Sequence, residues 1–308
     1  MKAVNLHHHT TFSHGDGYGT PLQHVLRAVE LGYSAMALTE HGGVSSFFQA
    51  EKAAIRAGIK MIFGLEAYCG PTDPERRSAY KYHLTILASN QEGYRNLNKI
   101  VTQSYLDFYS KPTVSGANLL EHAGGIIALS GCSGSLLACN LLGGKGIPDK
   151  EIPDMGAAED VIWRFKDIFG DRYFLEVQPF YELERTIAIN TAYEELSRLT
   201  GVPIVFTNDV HYPRIEDATM QAILHAVHRG KHSVDDVMRS WNYEVPCTLP
   251  SSDNDLFYRL MKTGLSRKAS IGAIEISAEI ADRCNVTLPK AERLKYPISE
   301  EDMVPWTR

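Results

Sequence analysis

Asn5-Leu6-His7-His8-His9-Thr10-Thr11-Phe12-Ser13-His14-Gly15-Asp16-Gly17 follows directly on the apolar pair Ala3-Val4. In an extended backbone alternate side chains share a face, so His7 and His9 point one way and His8 the other. Two imidazoles converging at a strand end, with the Asp16 carboxylate on the next loop, form the beginning of a transition-metal site. The bland alternative is a purification tag. Tags are usually longer and sit in a flexible polar leader, whereas this triplet is embedded in a strand-like run.

Around that stretch lies an ordinary soluble composition: 308 residues, 44% hydrophobic and 22% charged, enough for one large α/β barrel or two smaller domains. No apolar run is long enough to span a membrane, and the N-terminus lacks a signal-peptide pattern. Cys69, Cys132, Cys139, Cys247 and Cys284 are odd in number and contain no C-x-x-C pair, which fits a reducing cytoplasm rather than a disulfide framework. A net charge of −6 argues against broad, charge-driven nucleic-acid binding. It leaves open binding at a metal-lined cleft, where cations reverse the local sign.

Short β-type runs at 3–6, 34–39, 60–68, 83–88, 125–130, 173–177 and 203–207 alternate with amphipathic stretches at 21–31, 45–57, 92–109, 157–169 and 183–199. Pro21 suits a first helical turn, and Gly32 and Gly58 suit positions just past helix ends. The alternation predicts an α/β fold: a distorted seven-stranded, TIM-like barrel. A doubly wound sheet competes, but no glycine-rich dinucleotide fingerprint favours it. Helical patterns at 216–229, 255–263 and 272–284 follow. The expected organisation is a barrel over 1–230, a surface excursion and C-terminal helices over 231–289 packed on it, and a tail over 290–308.

In such barrels functional side chains gather at the carboxyl ends of the strands. That rim collects His7, His9 and Asp16, then His41 in Thr39-Glu40-His41-Gly42, Glu66 in Phe63-Gly-Leu-Glu-Ala67, Cys132 in Ser130-Gly-Cys132, and Asp209 and His211 in Thr207-Asn-Asp-Val-His211. Asp209 and His211 are expected on one face of an extended backbone. His83 begins its run, and joins the rim only if its strand returns antiparallel to the one carrying Glu66. Each residue alone fits a polar turn or a small buried side chain. Nine together at strand ends do not.

These motifs, with His83-Leu-Thr-Ile-Leu-Ala88 and Leu129-Ser-Gly-Cys132, resemble the PHP (polymerase and histidinol phosphatase) superfamily. Within it they are most similar to the PHP domains of bacterial DNA polymerase III alpha subunits. The likeness covers nearly the whole chain in the family's order; palm, thumb, fingers and helix-hairpin-helix segments are absent from these residues. The resemblance implies three divalent ions, of zinc, manganese or iron. One would be held by His7, His9, Glu66 and Asp209, a second by Glu66, His83 and Cys132, and a third by Asp16, His41 and His211. Glu40 stands where the family has Asp, a replacement expected to alter how His41 is oriented, and Glu40→Asp is expected to be nearly neutral or to improve activity. His14 competes with Asp16 for the third ion.

The resemblance further implies a metal-dependent phosphoesterase, a 3′→5′ exonuclease that hydrolyses the terminal phosphodiester of DNA with a metal-activated water. No catalytic residue separate from the metal ligands is required. Lys81, Arg76, Arg77 and Lys111 are candidate phosphate contacts, and Tyr18, Tyr80 and Tyr82 candidate base-stacking residues. The alternatives are a phosphomonoesterase of the histidinol-phosphatase type and a non-catalytic module that binds a separate polymerase or replisome subunit.

Overall fold

Six of the seven apolar runs become strands. In the computed structural model, which describes residues 2–228, 230, 233, 235 and 245–290, these are β1 (Ala35–Leu38), β2 (Lys60–Cys69), β3 (Tyr82–Ala88), β4 (Ile126–Leu129), β5 (Tyr173–Val177) and β6 (Ile204–Phe206). They form one curled sheet in chain order. β1–β2, β4–β5 and β5–β6 pair in parallel. β3 runs antiparallel to both neighbours and sets His83 opposite Tyr68. The reversal expected of the His83 strand is therefore present.

The seventh run, 3–6, is not a ladder strand. It and the residues just after it make single bridges, Asn5 to Met36 and His8 to Val210, against the two edges of the sheet. The cause is a change of parity. Val4 and Leu6 lie with Ala35, Ala37, Ile62 and Val205 in the cluster on the inner face of the sheet. Uninterrupted alternation would then turn His8 inward. Instead Asn5 donates its side-chain amide to the His7 carbonyl at 2.8 Å and accepts from Asn208 N–H. Such local side-chain bonds compete with a ladder, and beyond the break His7 and His9 face inward.

Helices cover the outer face. α1 (Pro21–Glu30) opens with a Thr20/Gln23 capping box and Pro21 in its first turn. α2 (Phe47–Ala57) ends at Gly58 with φ +72°, the left-handed geometry that favours glycine. α3 (Gln91–Leu106), α6 (Met155–Phe169) and α7 (Glu184–Thr200) follow the expected periodicity. Two short helices, α4 (Gly116–Glu121) and α5 (Leu136–Leu142), were not foreseen, being too short to show a period.

Beyond β6 come α8 (Ala218–His228), α9 (Asp253–Lys262) and α10 (Arg267–Arg283). Ile280, Ala281 and Cys284 complete the inner cluster. The Asp253 carboxylate accepts from the backbone N–H groups of Lys2 and Ala3, at 2.8 and 3.0 Å. Of the expected excursion, residues 233, 235 and 245–250 are described; Val245, Cys247 and Leu249 are buried there. The tail from 291 onward and most of 231–244 lie outside the described residues.

Candidate metal centre

The inner face changes chemistry along its length. Below, it is Ala35, Ile62, Leu87, Ile127 and Val205. Above, the same facing positions carry Glu66, Thr85, Glu176 and Thr207, all buried. Burying carboxylates is costly unless partners compensate, and here the partners are histidines.

His7 Nε2, His9 Nε2, Glu66 and Asp209 Oδ1 converge. The separations are 3.1 Å between the two imidazoles, 3.3 and 3.5 Å from them to Glu66, and 3.4 Å from each to Asp209. Beside this group, Glu66 Oε1 lies 2.8 Å from His83 Nδ1, and Cys132 Sγ lies 3.5 Å from His83 and 3.6 Å from Glu66. On the other side, Asp16 Oδ2 meets His41 Nε2 at 2.7 Å and His211 Nε2 at 3.5 Å. His9 stacks against the rings of both His41 and His211, at 4.2 and 4.6 Å. All nine residues singled out in the sequence thus meet in one cluster, with Glu66 central to it.

Local backbone explains each placement. A Cβ at Gly17 would approach the Thr10 carbonyl oxygen to 2.2 Å, so the loop carrying Asp16 closes tightly only over glycine. Asp209 adopts φ +43°. The expected extended backbone through Asp209 and His211 is therefore broken; Asp209 turns to His7 and His9, and His211 to Asp16. His14 does not compete with Asp16: its ring sits edge-on to His228.

Charge is distributed accordingly. Burial disfavours an ionised Glu66, yet His83, His41 and His7 hold its carboxyl well below the usual range. Burial alone would lower His7, but Asp209, Glu176 and Glu66 raise it well above an ordinary imidazole. His41 is likewise carried up to about 9 against its burial, by Glu66 and Asp16. His9 is pushed down to about 3 by burial and by His41 and His211. Burial, with Glu66 and Asp209 nearby, pushes the Cys132 thiol well up.

Further residues serve the cluster without having been foreseen. Glu176, within β5, accepts from Thr85 and Thr207 hydroxyls at 2.9 and 2.6 Å and stands 2.6 Å from His7 Nδ1. Its warning sign in the sequence is a lone acid inside the apolar run Tyr173-Phe-Leu-Glu-Val177. Ser13 Oγ lies 2.8 Å from His9 Nδ1, donates to Glu40 at 2.6 Å and accepts from His41 N–H at 3.0 Å. His225, on α8, reaches Asp16 Oδ1 at 3.0 Å. Glu40 does not orient the His41 ring: it binds Thr10 N–H, the Thr10 hydroxyl and Ser13, and so acts on His9.

The cluster opens into a cleft of about 740 Å³. Lys111 lines it, as do Lys145, Tyr68 and Tyr105. Lys81 instead donates to the Pro71 and Arg77 carbonyls, Arg76 pairs with Asp73, and Arg77 covers the Tyr109 ring. Tyr18, Tyr80 and Tyr82 do not line the cleft.

Fold and site together define an α/β domain with a histidine, carboxylate and thiol cluster on the inner face of a curled sheet. The chain belongs to the PHP domain family, whose model matches residues 5–179. It is 34% identical, over 97% of its length, to the DNA polymerase III subunit alpha of Thermus aquaticus, and 33% identical, over 94%, to that of Treponema pallidum. It spans 24% of the length of each. Among solved structures it is similar to a histidinol phosphate phosphatase from Lactococcus lactis complexed with zinc, L-histidinol and phosphate. That match has 15% identity and a TM-score of 0.39, covering 75% of this chain and 95% of the other. An amidohydrolase from Chromobacterium violaceum with bound sulfate matches at 14% identity and a TM-score of 0.42, covering 68% and 88%. Among the described residues no helix is long and apolar enough to cross a membrane.

Proposed function

We propose that this domain is a metal-dependent phosphoesterase acting on the 3′ end of DNA as a 3′→5′ exonuclease, in the setting of a polymerase or replisome. One observation carries the metal reading. The His7 and His9 Nε2 atoms lie 3.1 Å apart, and each stands 3.3 to 3.5 Å from a Glu66 oxygen and 3.4 Å from Asp209 Oδ1, while ligands at 2.0–2.1 Å around a tetrahedral ion are separated by about 3.3 Å. Glu66 Oε2 and Asp209 Oδ1 are buried and accept no aligned hydrogen bond, although imidazole nitrogens crowd them at 2.6 to 3.6 Å. Groups aimed at one point rather than at each other fit a cation between them.

In this reading His7, His9, Glu66 and Asp209 hold one ion, Glu66, His83 and Cys132 a second, and Asp16, His41 and His211 a third. The mixed donor set suits zinc, manganese or iron. Divalent ions there supply Lewis-acid activation of water and neutralise charge on a phosphate. Glu176 holds the His7 ring so that Nε2 faces the cluster, and Ser13 with Glu40 does the same for His9. The N-terminal run, bridging both sheet edges, serves as the seventh strut of the barrel.

The DNA substrate rests on the relatives named as polymerase III alpha subunits and on a cleft larger than a single phosphate needs. The test is metal-stripped protein, restored with Mn²⁺ or Zn²⁺, acting on a primer with a labelled 5′ end and a mismatched 3′ nucleotide. Stepwise, metal-dependent shortening that His9→Ala abolishes is the expected result. Turnover of small phosphate monoesters with no shortening would move the assignment to the histidinol-phosphatase type.

A further inference from the structure

Among the described residues, three that are not glycine have a left-handed backbone: Ser110 (φ +59°), Lys145 (φ +47°) and Asp209 (φ +43°). All three line the same cleft. Such conformations are costly and persist where surrounding structure imposes them. Asp209 is accounted for by the metal cluster. The other two place lysines.

Lys145 sits at the tip of a tight turn, closed by Gly144 N–H to Ile147 O and Ile147 N–H to Gly144 O. Its own carbonyl accepts from the Tyr82 hydroxyl at 3.2 Å, and Arg185 clasps the Gly143 carbonyl at 2.9 Å. The Lys145 ammonium passes over Gly134, where a Cβ would lie 2.6 Å from Nζ and 3.7 Å from Cys132 Sγ. With no side chain at Gly134 the ammonium lies beside Cys132, where it donates to the Lys81 carbonyl at 3.4 Å. Lys111 follows Ser110 on the opposite flank. Its Nζ lies 3.9 Å above the Tyr68 ring, which in turn stacks on His41 at 5.5 Å.

Beyond Lys111 the cleft wall carries Tyr105 and Phe108, their rings stacked at 26° and 6.4 Å. They are 55% and 54% exposed. Flat, exposed aromatic surface beside a cationic groove is what single-stranded nucleic acid recognises, through base stacking and phosphate contacts.

We propose that Lys111 and Lys145 grip backbone phosphates on either side of the metal cluster, while Tyr105 and Phe108 stack a base near the 3′ end of a single strand. This rests on the phosphodiesterase reading above and adds to it how the strand is held.

The experiment measures anisotropy of a fluorescein-labelled oligothymidylate bound to the metal-loaded protein, over a salt series. A terminal methylphosphonate linkage protects the oligonucleotide from hydrolysis. Lys111→Gln and Lys145→Gln are each expected to weaken binding about tenfold and to reduce the salt slope by about 0.7, the value for one contact to a single strand. The pair Tyr105→Ala/Phe108→Ala should weaken binding at least fivefold, given about 1–3 kcal/mol per stacked base, and leave the slope unchanged. Lys52→Gln, on exposed α2 surface, controls for loss of charge alone. If the wild type shortens DNA but the three variants bind like Lys52→Gln, the strand-gripping role is overturned and the exonuclease stands. If the wild type neither binds nor shortens DNA, both fall.

Discussion

Glu176 Oε1 stands 2.6 Å from Nδ1 of His7, a residue 169 positions away in the chain. That contact decides which imidazole nitrogen faces the cluster. With Nδ1–H directed at Glu176, Nε2 is left to face His9, Glu66 and Asp209. Carboxylates behind ligating histidines fix tautomer and ring orientation, and losing one typically costs ten- to a hundredfold in metal affinity. Glu176→Gln keeps the shape and removes the charge. Zinc affinity measured by chelator competition should fall by at least about tenfold; an unchanged affinity would show that His7 needs no such partner.

Glu40 gives a second, opposite lesson. By resemblance Asp is the usual residue, and the sequence alone predicts Glu40→Asp to be nearly neutral or to improve activity. The carboxylate, however, spans to Thr10 N–H at 2.9 Å and Ser13 at 2.6 Å. Withdrawing it by one methylene leaves buried donors unsatisfied, at about 1–3 kcal/mol. Thermal unfolding of metal-free Glu40→Asp should begin at lower temperature than wild type. Equal stability would mean that the 10–13 loop closes around the shorter side chain.

The Cys132 sulfur supplies the soft member of its group, 3.5 Å from His83 and 3.6 Å from Glu66. Cys132→Ser should shift preference from Zn²⁺ toward Mn²⁺, because thiolate favours the softer ion. Competition between the two metals, read by elemental analysis after dialysis, checks this. No shift removes Cys132 from the ligand set.

At high pH stability should decline as buried thiol and phenol groups ionise in the unfolded chain. Burial pushes the Cys284 thiol from 9.0 up to about 12, and the Tyr173 and Tyr193 hydroxyls above their ordinary 10.0. Each is neutral in the fold, so its contribution is fully present below the unfolded pKa. It is lost as pH rises from about 9 toward 12, at about 1.4 kcal/mol per pH unit for each group titrating only when unfolded. Melting temperatures of the metal-free protein should already fall through pH 8, where the His41 imidazole, raised to about 9, gives up its proton, and fall more steeply above pH 9. A flat profile to pH 11 would contradict the burial of these groups.

The sequence made the cluster legible where spacing or motif carried it. His7 and His9, two apart, and Thr39-Glu-His-Gly were readable because strand periodicity and loop position suffice. Long-range partners were not. Glu176 reaches His7 across the sheet, and His225 approaches Asp16 from a helix whose own pattern shows only apolar periodicity. The break between Leu6 and His7 was invisible because it depends on one Asn5 amide binding the His7 carbonyl. Lys81 and Arg76 look like rim cations in sequence, yet backbone carbonyls and Asp73 take them up. Lys145 was missed because only the φ +47° turn aims it at the cleft.

The central claim is tested most directly by loading metal-stripped protein with Zn²⁺ and locating the ions by anomalous scattering in crystals. The account predicts a peak enclosed by His7, His9, Glu66 and Asp209, with further peaks beside Cys132 and Asp16, and loss of the first in His9→Ala. Zinc absent from that cage, or bound only elsewhere on the surface, would contradict it.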